Sequence, residues 1–76
     1  MQDAQLRRVR RAAMVAMTER IIADYAGGIP AGSVMRTVAR CEEALLRTGV
    51  RHGLVPAAEA MARVELAGRI SAHAAE

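Results

Sequence analysis

The sequence has one cysteine, Cys41, no lysine, no phenylalanine and no tryptophan, and its single aromatic residue is Tyr25. One cysteine excludes a disulfide within the chain and any zinc site built from several cysteines. The longest apolar run, residues 12–17, is far shorter than a membrane span requires. We therefore expect a cytoplasmic protein without a membrane span, a disulfide or a multi-cysteine metal site.

Large apolar side chains are also scarce. Leucine, isoleucine and valine together account for 16 of the 76 residues, close to the roughly 20% below which chains tend to be disordered. A domain of this length buries little more than about 60% of its unfolded surface. Alanine, with 17 residues, favours helices and lets them pack closely. This composition predicts a small helical domain that gains further burial by self-association.

Hydrophobic periodicity predicts three helices within a single domain, residues 1–76. Helix 1 is expected over about residues 3–25, helix 2 over about 31–48 and helix 3 over about 56–71. Glycines at 27, 28 and 49 are typical of helix ends. Helix 2 has two alternative starts, with Pro30 as its first residue or Ser33 as its N-cap. The predicted fold is all-α, a three-helix bundle assembled as a homodimer.

The three helices each have an expected buried face. On helix 2 it is Val34, Val38, Cys41 and Leu45. On helix 1 it is Met14, Met17, Ile21 and Tyr25. On helix 3 it is Ala57, Ala60, Met61, Val64, Ala67 and Gly68. Helices 2 and 3 carry further apolar residues outside these faces, and one bundle does not need them all. The expected dimer interface consists of Met35, Ala39, Leu46, Leu66 and Ile70.

No group of residues predicts catalysis, a cofactor site or a metal site. Cys41 and Arg47 have the Cys-x5-Arg spacing of a phosphatase loop, but they fall within a predicted helix whose N–H groups are already bonded. His52 has neither a cysteine nearby nor a second histidine at helical spacing. Glu42 and Glu43 are adjacent, so they point about 100° apart on a helix. We predict a protein that is not an enzyme and binds no cofactor or metal.

The positive charge is concentrated near the start of the chain. Residues 1–20 hold five arginines against two acids, whereas residues 21–76 hold six of each. The candidate contacts for nucleic acid are Arg7, Arg8, Arg10 and Arg11. Helix 3 is expected to begin with Pro56, Ala57 and Ala58, which cannot read base edges, so a helix-turn-helix is disfavoured. A small nucleic-acid-binding or transcription-regulatory protein is therefore the alternative function, with nucleic acid the less favoured partner.

Part of the sequence resembles a known domain. The similar segments, within residues 20–50, are Ala23-Asp24-Tyr25-Ala26-Gly27 and Ser33-Val34-Met35-Arg36-Thr37-Val38. They resemble a three-helix-bundle dimerisation domain of actinobacterial proteins, which often precedes a low-molecular-weight phosphatase or arsenate-reductase domain. The resemblance implies a bacterial homodimer that acts as a dimerisation or protein-interaction module and has no activity of its own. The 76 residues contain no such catalytic domain, so we expect no phosphatase activity.

Overall fold

A computed structural model describes residues 2–75 of the chain, with side-chain surroundings for residues 3–71. Three α-helices follow one another: α1 is Gln2–Asp24, α2 is Ala31–Arg47 and α3 is Leu54–Ala75. Residues 2–75 contain no strand. The prediction of an all-helical, three-helix fold is confirmed.

The ends of the helices follow from glycine and proline. Pro30 is the N-cap of α2, and its carbonyl oxygen accepts hydrogen bonds from the N–H groups of Ser33 and Val34 at 3.0 and 3.2 Å. Neither alternative start expected for helix 2 is therefore correct, because Ser33 lies within the first turn. At the other end, Gly49 has φ +90°. The N–H of Gly49 donates to Leu46 and that of Val50 donates to Leu45, which is the Schellman arrangement.

The third helix begins at Leu54, two residues before the expected start at Pro56, and extends to Ala75. Gly53, at φ +68°, precedes it and accepts a hydrogen bond from the N–H of Ala57 at 3.0 Å. Pro56 is tolerated in the first turn because the N–H groups there have no helical acceptor, so its missing N–H costs no hydrogen bond.

Helix α2 contributes the centre of the core and packs most extensively on α3. Its buried residues are Val34, Thr37, Val38 and Cys41, with Leu45 partly buried against them. The hydroxyl of Thr37 donates to the carbonyl oxygen of Ser33 at 2.9 Å, which satisfies this buried polar group. Helix α1 adds Met14, Met17 and Ile21, with Tyr25 partly buried. The buried faces predicted for helices 1 and 2 are confirmed.

The face predicted for helix 3 is wrong. The residues that α3 buries are Leu54, Ala58, Ala62 and Leu66. Met61 and Val64, expected in the core, are exposed. Charged residues border the buried line rather than facing away from it, because they form ion pairs with the other two helices. Their positions therefore do not mark the solvent side of α3.

The molecule is elongated. Its principal extents are 51 × 24 × 15 Å and its radius of gyration is 13.5 Å, whereas a compact chain of this length would have a radius near about 11 Å. Residues 3–12 of α1 are all exposed, and at about 1.5 Å per residue they form a helical arm about 15 Å long. We call residues 3–12 the arm.

Candidate interaction surfaces

A groove of about 610 Å³ lies between α1 and α2. Met14 and Val38, both almost fully buried, form part of its floor. Val15 and Met35 also line it and are about half exposed. The groove is thus an open channel with apolar walls between two helices, which is the usual form of a site for an apolar ligand or a partner helix.

The four arginines predicted as nucleic-acid contacts also line this groove, at the end formed by the arm. Arg7 donates from Nε to the carbonyl oxygen of Asp3 at 3.4 Å. Within residues 3–71, none of the four arginines forms an ion pair. Glu19 and Glu42 line the groove as well. The wall therefore presents four positive charges against two negative ones.

Arginines in the body of the bundle are used differently. Arg63 contacts Asp24 and Glu59 at 2.9 Å each, and Arg20 contacts Glu59 at 3.3 Å. The contacts of Arg63 with Asp24 and of Arg20 with Glu59 join α1 to α3, whereas the contact of Arg63 with Glu59 lies within α3. The hydrogen bond from Arg63, with a smaller contribution from Arg20, holds the pKa of Glu59 below its ordinary value despite an opposing desolvation effect, and Glu59 in turn raises the pKa of Arg63. These contacts hold α1 on the bundle, and none of the ion pairs within residues 3–71 involves the arm.

Cys41 lies on the core side of α2 and is 2% exposed. Its Sγ donates to Oε2 of Glu65 at 3.8 Å, and Glu65 also pairs with Arg40 and Arg69. Arg47, the other end of the Cys-x5-Arg spacing, forms an ion pair with Glu43 at 2.7 Å in the same helix. The two residues therefore do not form a phosphate loop, since a loop of that kind needs free N–H groups and an accessible thiolate.

His52 lies in the turn between α2 and α3 and is exposed. Among the described side chains, no three or more His, Cys, Asp or Glu residues are grouped so that they could hold a metal ion. That the protein binds no metal or cofactor and is not an enzyme stays a prediction.

Of the five residues predicted as a dimer interface, four are exposed and one is buried. Met35 and Ala39 line the α1–α2 groove, and Met35 is 56% exposed. Leu46 and Ile70 are exposed but are not part of the groove lining. Leu66 is fully buried in the core of the bundle. This burial removes Leu66 from any interface that forms without unfolding.

The face that the sequence predicted to be buried on helix 3 is instead a second, largely exposed surface, which we call the outer face of α3. It consists of Ala57, Ala60, Met61, Val64, Ala67 and Gly68. Val64 is 75% exposed, the largest value among the exposed large apolar side chains, and Met61 is also exposed. At 100° per residue these six positions share one side of α3, and none is charged. The signal that could have found this face is the i, i+4 line Ala58, Ala62 and Leu66, which marks the opposite side as buried.

None of the three helices is long and apolar enough, within the described residues, to cross a membrane. No protein-family model, curated protein or solved structure matches the chain. The resemblance to a dimerisation domain therefore stays a hypothesis, and function must be inferred from the two surfaces themselves.

Proposed function

We propose that this protein is a non-catalytic self-association module in which two copies pair through the outer face of α3. The observation that carries the proposal is an apolar, uncharged helix face, from Ala57 to Gly68, that is exposed except at the partly buried Ala57. Such faces are uncommon on monomeric proteins and typically mark a contact with another molecule.

A second copy is the occupant that this face suits. In a two-fold dimer the same surface meets itself, so a charged face would bring like charges together, whereas this one would not. Its alanines and glycine allow two helices to approach closely, and Met61 and Val64 supply apolar area. The charges that border the buried side of α3, on Glu59, Arg63 and Glu65, are engaged with α1 and α2.

The surface area of the chain supports the same proposal. A compact monomer of 8.1 kDa would expose about 4,500 Å², whereas this chain exposes 5495 Å². The excess of about 1,000 Å² includes the exposed arm as well as the outer face of α3, and it exceeds the ~800 Å² that each partner buries in a stable interface of standard size. The chain has few large apolar side chains, so burial between copies would compensate for a small core. The resemblance to a bacterial dimerisation domain also supports the pairing of two copies. The single thiol fits a reducing cytoplasm.

Light scattering after size-exclusion chromatography tests the proposal, with a dimer expected at tens of micromolar. Val64→Glu would place two charges at the centre of the contact and should give a monomer. Val9→Glu is the matched control, because Val9 is exposed on the arm and outside the outer face of α3. The melting temperature should also rise with protein concentration, since dissociation precedes or accompanies unfolding. A wild-type monomer at these concentrations would refute the proposal.

Leu46→Glu distinguishes this dimer from the one predicted on α2. Leu46 is partly exposed on α2 and does not belong to the outer face of α3. If Leu46→Glu dissociates the dimer and Val64→Glu does not, the copies pair through α2 and the proposed face is wrong.

A second candidate function is nucleic-acid binding by the arm. The observation in its favour is the set of four exposed arginines without ion pairs, described above. Binding of this kind should be independent of sequence and steeply weakened by salt, because it depends on phosphate contacts. Fluorescence anisotropy with two unrelated DNA duplexes, from about 50 to 200 mM salt, measures it. Tight, sequence-specific binding at the higher salt would instead favour a transcriptional regulator.

A further inference from the structure

The groove between α1 and α2 differs from the outer face of α3 in that it combines apolar walls with a cluster of arginines at one end. Its apolar lining is Met14, Val15, Ile22, Met35, Val38 and Ala39. The arginines of the arm form the lining at the N-terminal end of α1. From Arg7 to Ile22 the groove follows α1 for about 22 Å, the length of about 15 helical residues.

We propose that this groove binds an amphipathic helix of another protein, with the acidic end of that helix against the arm. A helix in a groove presents apolar anchors at i, i+3 or i+4, and i+7, which is the pattern that apolar walls of this length can accept. Met14 and Met35 have flexible side chains, so the walls can adapt to anchors of different shape. The proposal concerns a surface separate from the outer face of α3 and does not depend on self-association.

Charge determines the partner and its orientation. The guanidinium groups of Arg7, Arg8, Arg10 and Arg11, which form no ion pair within residues 3–71, favour carboxylates at one end of the groove. Glu19 and Glu42 also line the groove and would repel a uniformly acidic peptide. The complementary helix therefore carries acidic residues in one terminal turn and neutral or apolar residues along the remainder.

A second copy of the chain is a poor occupant. Every copy carries the same four arginines, so pairing groove to groove would bring like charges together. Most of the acidic side chains in the body are already in ion pairs, namely Asp24, Glu43, Glu59 and Glu65. Glu19 and Glu42, which form no ion pair within residues 3–71, are themselves part of the groove.

Nucleic acid is also a poor match. Single strands bind on aromatic platforms, and the groove lining has no aromatic residue. The apolar walls would lie against phosphates without a favourable contact, and the two glutamates would repel them. A helix with carboxylates at one end satisfies both the charged and the apolar parts of the groove.

Fluorescence anisotropy tests the proposal with labelled synthetic peptides of about 15 residues. Each peptide has leucines at the i, i+3, i+7 spacing and three glutamates in one terminal turn, at either the N-terminus or the C-terminus. A third peptide replaces the glutamates with lysines. One of the acidic peptides should bind with a Kd in the micromolar range, and the lysine peptide should bind at least about tenfold more weakly. Equal binding of all three, or binding of none, would overturn the proposal.

Variants at exposed positions separate the contribution of the arginines to peptide binding from that of the apolar walls. Arg10→Glu combined with Arg11→Glu should weaken acidic-peptide binding by about tenfold or more, whereas Arg51→Glu, an exposed arginine outside the groove, should change it less than about twofold. Met35→Gln should weaken binding several-fold, whereas Ile70→Gln, at an exposed apolar position of α3 outside both the groove and the outer face, should not. Circular dichroism verifies that each variant is folded.

A competition experiment tests whether the groove prefers nucleic acid or a membrane surface to the acidic peptide. An unlabelled DNA duplex or anionic lipid vesicles should displace the peptide only weakly at 150 mM salt. If either bound more tightly than the acidic peptide, and did so equally well in Met35→Gln, the arginines would serve a phosphate surface and the proposal would fail.

Discussion

Replacing Leu66 with alanine tests the central feature of the packing, which is the face that α3 buries. Leu66 is 0% exposed and packs in the core with Met17, Ile21 and Val34. A buried Leu→Ala change costs about 2–5 kcal/mol, because the lost transfer free energy is added to the cost of the cavity. A chain of 76 residues is expected to have a free energy of unfolding of only about 4–11 kcal/mol. The change should therefore remove a large fraction of the stability.

Leu6→Ala is the matched control, since Leu6 is 66% exposed on the arm. An exposed substitution of this kind should change stability by less than about 0.5 kcal/mol. Urea unfolding, followed by circular dichroism at one protein concentration, measures both variants. The free energy of unfolding falls by about 1 kcal/mol per molar urea for a chain of this size. The urea concentration at the unfolding midpoint should therefore be lower by about 2 M or more in Leu66→Ala than in wild type. In Leu6→Ala it should stay within about 0.5 M of wild type. A cost below about 1 kcal/mol for Leu66→Ala would show that its face of α3 is not the buried one.

Two further predictions concern Cys41 and Glu59. Cys41 is buried, so a bulky maleimide should label it slowly in the native protein and rapidly in denaturant. Rapid labelling of the native protein would mean that Cys41 does not lie on the core side of α2. The ion pairs lower the pKa of Glu59 in the folded state, so they stabilise the fold above the ordinary glutamate pKa. That stabilisation is lost as the pH falls through the lowered pKa that Glu59 has in the folded state. Glu59→Gln should therefore lose less stability between pH 7 and pH 3 than wild type. Glu43→Gln, whose partner Arg47 is on the same helix, is the control and should follow wild type. Identical curves of stability against pH for all three proteins would contradict this prediction.

The α1–α2 groove shows why sequence patterns found only parts of the candidate site. The arginines near the start of the chain stood out through local charge, and Met35 and Ala39 stood out as surplus apolar residues on helix 2. More than twenty residues separate the two groups in the sequence. Periodicity relates residues within one helix, and the placement of α1 against α2 depends on contacts between helices. The shared groove was therefore outside the reach of single-helix patterns.

Helix 3 shows a different difficulty. Alanine and valine occur on both of its sides, so apolar character alone did not distinguish the core side from the solvent side. Glu59, Arg63 and Glu65 are charged, and charged residues usually face solvent. In the structure they border the core and form ion pairs with α1 and α2.

The sequence alone determined four features, because each depends on residues close together in the chain. They are the formation of the helices, the glycines that end helices with positive φ, the buried line of α2 and the basic character of the arm. Only the tertiary structure decided which side of α3 is buried and that Leu66 belongs to the core. It also decided that the arginines of the arm and Met35 line the same groove. The physical reason is that periodicity specifies which residues share a face. Which of two apolar faces is buried depends on the packing against the other helices.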